Sequence, residues 1–353
     1  MNLFYKDISI TGLLVVVPKN ERDFMDDMKM YNFPDSRSLK LKKVMGYNKH
    51  RIVDDKTCVS DLAIFGLNYL FQTGSLLKDS FDSLVVVTQS PDYFIPGTSS
   101  VIQGELGLKT DLLCMDITQG CAGYIVGLMQ AFMLLQQPSI NKVVLINGDV
   151  LSQKVSIYDR NSFPLIGDAL SITIIENKVN EKVYANIKMD GKDREALTIP
   201  AGGFRMPSDQ LTSQLENVGD GNRRSKDHLK MDGAAVFNFV QSKVPDMIND
   251  LLRFSKTSLQ NVDYFAFHQP NKFMLEKIAD KMGVPYEKMP NNIVGKFGNS
   301  SGVTIPVTLA HNLKKELTNS GIKVCLAGFG VGLTWGSMIL NLGNLKFCEL
   351  LEY

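Results

Sequence analysis

The feature that most limits how this chain can fold is that it echoes itself. Leu84–Asp92 (LVVVTQSPD) resembles Asp263–Asn271 (DYFAFHQPN), with Pro91 answering to Pro270. Gly120–Ala131 resembles Gly298–Ala310, with Cys121 answering to Asn299. Lys142–Asp149 (KVVLINGD) resembles Lys323–Gly330 (KVCLAGFG). The three echoes share one offset to within a few positions, and that offset is close to half of the chain. A duplicated chain is the economical reading. The length, 353 residues, also exceeds what one small core usually holds. Two domains are expected, a first half over 1–177 and a second over 178–353.

Each half reads as strand, turn, strand–turn–helix, strand. Leu84–Thr88 and Leu112–Ile117 are runs expected to form strands buried on both faces. Cys121–Gln136 is apolar nearly all round, which predicts a buried helix, and Pro138 ends it. Val143–Ile146 is the next strand. Asn177–Lys182 is polar and reads as a surface turn. Gly191–Gly221 is rich in Gly, Pro, Ser and Asp and reads as loop. Lys226–Leu252 is amphipathic at helical spacing. Alternating strands and helices imply α/β layers, and two stacked halves give five, with central helices between two sheets.

Composition excludes several classes. Hydrophobic residues make up 44% and charged residues 21%, and the net charge is +1, so there is no nucleic-acid footprint. The five cysteines (Cys58, Cys114, Cys121, Cys325, Cys348) include no C-x-x-C pair. That argues against a disulfide scaffold or structural zinc and fits a reducing cytosol, so a cytoplasmic location is expected. Ile8–Val17 is apolar but too short to span a bilayer; it reads as a core strand, and no membrane insertion is expected. No His/Cys cluster or acidic loop points to a metal.

Four places could carry chemistry. Cys121, in Gln119-Gly120-Cys121-Ala122-Gly123, follows a strand and begins the buried helix. A helix N-terminus stabilises a thiolate. On position alone it is equally a packed, inert cysteine. His268 ends an apolar strand, where α/β folds open onto ligand crevices, although a solvated or capping histidine fits as well. His50, His228 and His311 sit in polar or helical surface surroundings. Asn299, at the repeat position of Cys121, belongs to a corner that pseudo-symmetry turns towards the first; it also reads as a helix cap. Gly328, Gly330 and Gly332 form a turn whose backbone N–H groups suit an oxyanion hole better than a phosphate loop.

Taken together these residues resemble the β-ketoacyl-acyl-carrier-protein synthase III family of thiolase-fold condensing enzymes. The resemblance spans nearly the whole chain. It rests on Ser60-Asp61-Leu62-Ala63, Pro91-Asp92-Tyr93, Ile95-Pro96-Gly97-Thr98, Asp116–Gly123, Leu165-Ile166-Gly167-Asp168, Lys230-Met231-Asp232-Gly233, His268-Gln269-Pro270-Asn271, Gly295–Ser301 and Gly330–Gly336, in family order. It implies a thiolase-like five-layer α-β-α-β-α fold from two duplicated halves. It also implies a Cys-His-Asn triad, falling here on Cys121, His268 and Asn299. Cys121 would take an acyl group from acyl-CoA. A malonyl thioester on acyl carrier protein would then lose CO2, its enolate held by hydrogen bonds from a neutral His268 and from Asn299. The oxyanion formed on attack would lie against the backbone N–H groups of Cys121 and Val331. No cofactor is implied beyond the thioester substrates.

The resemblance further implies a homodimer in which Ile95 reaches the partner's acyl pocket. The sequence departs from the family at three places. Ile95-Pro96-Gly97 stands where Phe-Pro-Ser is usual. The tryptophan that stacks on the CoA adenine is missing, the only Trp being Trp335. Phe273 replaces a basic carrier-docking residue, with Lys272 beside it. These departures point to a specialised-pathway member. Two alternatives to decarboxylative condensation are an acyltransferase that passes the acyl group to an alcohol or amine, and a non-catalytic partner subunit; the intact triad argues against the second.

Overall fold

The apolar runs of both halves become strands of one continuous sheet. The structure, a computed structural model, describes all residues from Met1 to Tyr353. The sheet has nine strands: β1 (Asn2–Val17), β2 (Ser83–Val87), β3 (Leu113–Ile117), β4 (Lys142–Asp149), β5 (Ala169–Met189), β6 (Tyr264–Phe267), β7 (Gly321–Gly330), β8 (Thr334–Gly343) and β9 (Cys348–Glu352). The main helices are α1 (Asp35–Met45), α2 (Val59–Gln72), α3 (Thr98–Glu105), α4 (Gly123–Leu134), α5 (Gly233–Ser255), α6 (Lys272–Met282) and α7 (Thr304–Asn319).

The strand order is β6-β7-β8-β5-β4-β2-β3, with β1 beside β5 and β9 beside β1. The duplication is visible in the register. Leu84 of β2 pairs in parallel with Val144 of β4, and Tyr264 of β6 pairs in parallel with Val324 of β7. The stretch of chain between the partners is equally long in the two halves. β5 serves both halves: its first part pairs with β4 and its last with β8.

Three apolar cores separate the layers. One gathers α2 and α3 residues, such as Leu62, Leu67 and Ile102, against Leu84, Val86 and Ile146. The largest lies at the centre, with Ile125, Leu128 and Phe132 of α4 against Ile305, Leu309 and Leu313 of α7. The third packs Val244, Ile248 and Leu251 of α5 and Leu275 and Ile278 of α6 on Phe265 and Phe267. This is the α-β-α-β-α stack. The apolar circumference of α4 follows from that position, since a helix packed against β2 and β4 of the first half and β7 and β8 of the second has no solvent face.

Four local expectations are corrected. Leu113–Ile117 is not buried on both faces; it is the outermost strand, and Leu113 is 44% exposed. Residues 177–182 do not turn but lie within β5, opposite a register jump in β1. Asp7 and Asn180, both left-handed (φ 60° and 70°), form that bulge, and the Asp7 carboxylate accepts from the Asn180 N–H at 2.8 Å. Asp and Asn tolerate this conformation, which is why a polar stretch can sit inside a long strand. The 226–252 helix starts at Gly233, where the Asp232 carboxylate caps it by accepting from the Ala235 N–H at 2.9 Å. His50 is not at the surface: it is 2% exposed, with Nε2 2.9 Å from the Asp27 carboxylate and Nδ1 2.6 Å from the Ile166 carbonyl oxygen.

Candidate active site

Cys121 lies in the tight corner between β3 and α4, one residue before the N-cap Ala122. Glycine makes the corner possible. A Cβ on Gly328 would come within 2.8 Å of the Ala122 Cα, and one on Gly330 within 2.7 Å of the Cys121 Sγ. The end of β7 is therefore pressed against the cysteine. The opposite corner, at Asn299, is equally close: a Cβ on Gly302 would meet the Gly120 carbonyl oxygen at 2.9 Å. The two repeat-related corners thus face each other across the central layer.

The sulfur's electrostatics differ from what a helix start alone predicts. Burial pushes the Cys121 thiol above its ordinary value. Hydrogen bonding from the Val331 N–H, the Ser301 hydroxyl and the cysteine's own N–H works against that rise without cancelling it. Those two backbone donors are the pair expected to hold the oxyanion.

His268 directly follows β6 and is 2% exposed, packed edge-on to Phe329 at 5.6 Å. Burial lowers its pKa to about 4, so the ring is neutral at physiological pH. Its Nδ1 is 2.8 Å from the Thr304 hydroxyl oxygen, which also lies 2.9 Å from the Ser301 carbonyl oxygen. One hydroxyl hydrogen serves only one of these acceptors at a time. When Thr304 donates to Nδ1, the ring hydrogen is on Nε2. Asn299 is clamped by the main chain, its N–H donating to the Leu165 carbonyl at 2.7 Å. Its side-chain oxygen accepts from the Ser301 N–H at 2.9 Å, so it caps the turn leading to α7 as well as facing the sulfur's cavity.

Two cavities meet at the cysteine. One, of about 420 Å³, brings Cys121, His268 and Asn299 together and opens past Met45, Phe237 and Phe273. The other, of about 720 Å³, is lined by Gln89, Ser301 and Val331 and by apolar residues such as Ile166 and Ile199. Cys121, Leu165, Leu197, Met231 and Asn299 border both. Ile95 borders neither; it is 86% exposed, beside exposed Tyr93 and Phe94. Phe273 stacks on Phe237 at 5.6 Å at the first cavity's mouth. No group of three His, Cys, Asp or Glu side chains is placed to hold a metal ion. Sequence reasoning missed Gln89, Asp149, Ser301 and Thr304. Ser301 and Thr304 follow Asn299 closely, but only their side-chain partners mark them.

A five-layer duplicated fold with a buried cysteine at the meeting of two cavities defines the condensing-enzyme class. The comparisons place the chain within it. A model of the 3-oxoacyl-[acyl-carrier-protein (ACP)] synthase III family matches residues 115–191, and a model of that family's C-terminal region matches 252–342. The β-ketoacyl-[acyl-carrier-protein] synthase III of Porphyra purpurea is 32% identical over 297 residues, covering 84% of this chain and 88% of the relative. The same enzyme of Streptococcus mutans is 32% identical over 298 residues, covering 83% and 88%. The crystal structure of a 3-oxoacyl-(acyl-carrier protein) synthase from Burkholderia xenovorans superposes with a TM-score of 0.92 at 32% identity, covering 100% of this chain and 99% of that one. The chain belongs to the β-ketoacyl-acyl-carrier-protein synthase III family, a family of condensing acyltransferases.

Proposed function

We propose that this protein loads an acyl group from an acyl-CoA onto Cys121 and condenses it with a malonyl thioester carried by acyl carrier protein, with loss of CO2. The observation that carries the reading is that the Cys121 sulfur stands where the two cavities meet. A bound acyl chain has the larger cavity to occupy, while the second thioester approaches from the side of His268 and Asn299. The backbone N–H groups of Cys121 and Val331, already directed at the sulfur, suit the oxyanion that forms beside it. A neutral His268 with Nε2–H, together with the Asn299 amide, suits an enolate oxygen. Decarboxylation generates the carbanion, so no strong base is needed at this step, and the chemistry draws on no cofactor.

Charge and surface support the partners. Lys40, Lys42, Lys43 and Lys272 stand on the two helices whose Leu41, Met45 and Phe273 line the mouth, a setting that favours an acidic carrier. The free outer edge of β3 and the exposed Tyr93, Phe94, Ile95 and Phe204 support a homodimer in which Ile95 enters the partner's acyl cavity. The five free thiols fit a cytoplasmic setting. No helix is long and apolar enough to cross a membrane. The test is incubation with an acyl-CoA panel and carboxyl-labelled malonyl carrier protein. An acyl adduct on Cys121 followed by labelled CO2 is the expected result. An adduct that transfers without CO2 release would sink the condensation reading in favour of simple acyl transfer.

A further inference from the structure

A side chain that must meet an enolate within hydrogen-bond reach is only as well placed as the main chain that carries it. The Asn299 main chain is bracketed by a short parallel bridge to Ile166. Its N–H donates to the Leu165 carbonyl at 2.7 Å, and its carbonyl accepts from the Gly167 N–H at 3.2 Å. In such a bridge the middle residue, Ile166, turns its own N–H and carbonyl the other way. The Ile166 N–H donates to the Ser162 carbonyl at 3.1 Å. The Ile166 carbonyl is met by His50, whose Nδ1 lies 2.6 Å away.

His50 is itself held from behind. It lies on the short strand Lys49–Arg51, opposite Arg22 of Glu21–Asp23. Its Nε2 is 2.9 Å from Asp27 Oδ2, and Asp27 Oδ1 accepts from the Arg22 Nε at 2.9 Å. Asp27 is fully buried, and Phe163 packs edge-on against the imidazole at 5.5 Å. Both ring nitrogens face oxygens of a carbonyl and a carboxylate, so the ring satisfies both with a hydrogen on each. The front of the residue is equally tight. A Cβ on Gly298, next to Asn299, would come within 2.9 Å of the His50 Cβ and 2.8 Å of the Gly167 Cα. His50 borders neither cavity, so it reaches the reaction only through the main chain it holds.

We propose that His50 is a positioning residue for the condensation step. Anchored by Asp27, it pins the Ile166 carbonyl and so sets the Asn299 main chain, and the amide it carries, against the sulfur's cavity. This rests on the proposed use of Asn299 to hold the enolate.

Two substitutions take the ring's two hydrogens apart. A glutamine amide nitrogen overlays Nε2 and keeps only the Asp27 contact, whereas an asparagine amide nitrogen overlays Nδ1 and keeps the Ile166 contact. The readouts on the full chain are CO2 release from the acylated protein with carboxyl-labelled malonyl carrier protein, and adduct formation on Cys121 by intact-mass spectrometry. His50→Gln should slow CO2 release roughly 10- to 10²-fold, with adduct formation within about threefold of the parent. His50→Asn should keep CO2 release within about threefold. In an Asn299→Ala background, His50→Gln should change the remaining CO2 release by less than about twofold, because the group it acts through is gone. If the glutamine variant does not fold, Asp27→Asn reads the same network from behind and should slow CO2 release about fivefold or more. A slowing that asparagine fails to relieve, or that recurs in full without the Asn299 side chain, overturns the positioning role. So does CO2 release within about threefold of the parent in His50→Gln or, in its place, Asp27→Asn. A parent Cys121 that iodoacetamide alkylates but no thioester acylates overturns the proposed function itself, and the positioning role with it.

Discussion

The two halves of the chain place different chemistry at equivalent positions. Cys121 in the first half answers to Asn299 in the second, Gln89 to His268, and Asp149 to Gly330. The strand pairing is shared, since each half has a parallel ladder whose partners lie equally far apart in the chain, although measured against the sequence echoes the second ladder is shifted by two residues. Side chains are not. The first half supplies the sulfur and, behind it, an amide and a buried carboxylate. The second supplies the donors in front of it, and where the first has Asp149 it has a glycine that lets the strand touch the sulfur. The two corners face each other and differ at a few positions: one carries the thiol proposed as the nucleophile, the other much of its surroundings. The central helices diverged too: α4 is buried nearly all round, whereas α7 exposes Lys314, Lys315 and Glu316.

The sharpest way to break this asymmetry is to remove the sulfur. Cys121→Ala should abolish the acyl adduct in intact-mass spectra while leaving the thermal midpoint nearly unchanged, and a persisting adduct would refute the assignment. Next in size, His268→Gln gives the second half the residue the first half carries at that position. It should slow condensation by roughly 10²- to 10⁴-fold, measured as CO2 release from the acylated protein.

Gly302→Ala tests how closely the corners meet. Its Cβ would lie 2.8 Å from the Asn147 Oδ1 and 2.9 Å from the Gly120 carbonyl oxygen. We expect a stability loss of about 1–3 kcal/mol in denaturant unfolding. An unaltered unfolding midpoint would mean that the corners have slack.

A smaller effect follows from acid. The folded His268 value, about 4, lies below the ordinary 6.5, so the unfolded chain binds more protons between these values. That contribution to stability is present at neutral pH and is lost as pH falls towards 4. Asp149 runs the other way, raised from 3.8 to about 6. His268→Gln removes only the histidine's share, so its melting deficit against the parent should shrink on acidification. A deficit that is constant with pH would contradict the buried, neutral ring. Smallest is Ile95→Phe, which should leave single-chain stability unchanged and shift primer preference towards shorter acyl-CoAs in competition assays.

Much of this was legible in the chain. The repeat offset announced two stacked halves, and the apolar circumference of α4 announced a helix between sheets. Cys121, His268 and Asn299 stood at strand ends or corners, where residue type and position together suggest chemistry. What was not legible depends on distant partners. His50 sits among polar neighbours in sequence, and only its pairing with Asp27 and the Ile166 carbonyl explains its burial. β3 has the composition of an inner strand, yet nothing in that composition says that no strand follows it outward. Asp149 reads as the polar end of an apolar strand, and its link to Ser301 crosses from one half of the chain to the other.

The sequence by itself determined the layering, because apolar periodicity and the doubled pattern leave few ways to bury so much surface. It also determined which residue types stand at each corner. Only the tertiary structure decided that the corners touch, that burial raises the Cys121 thiol despite the helix behind it, and that Ser301, Gln89 and Asp149 lie in one line of hydrogen bonds. The physical reason is that desolvation and hydrogen bonding depend on what surrounds an atom in space. For Cys121 most of those neighbours come from the other half of the chain.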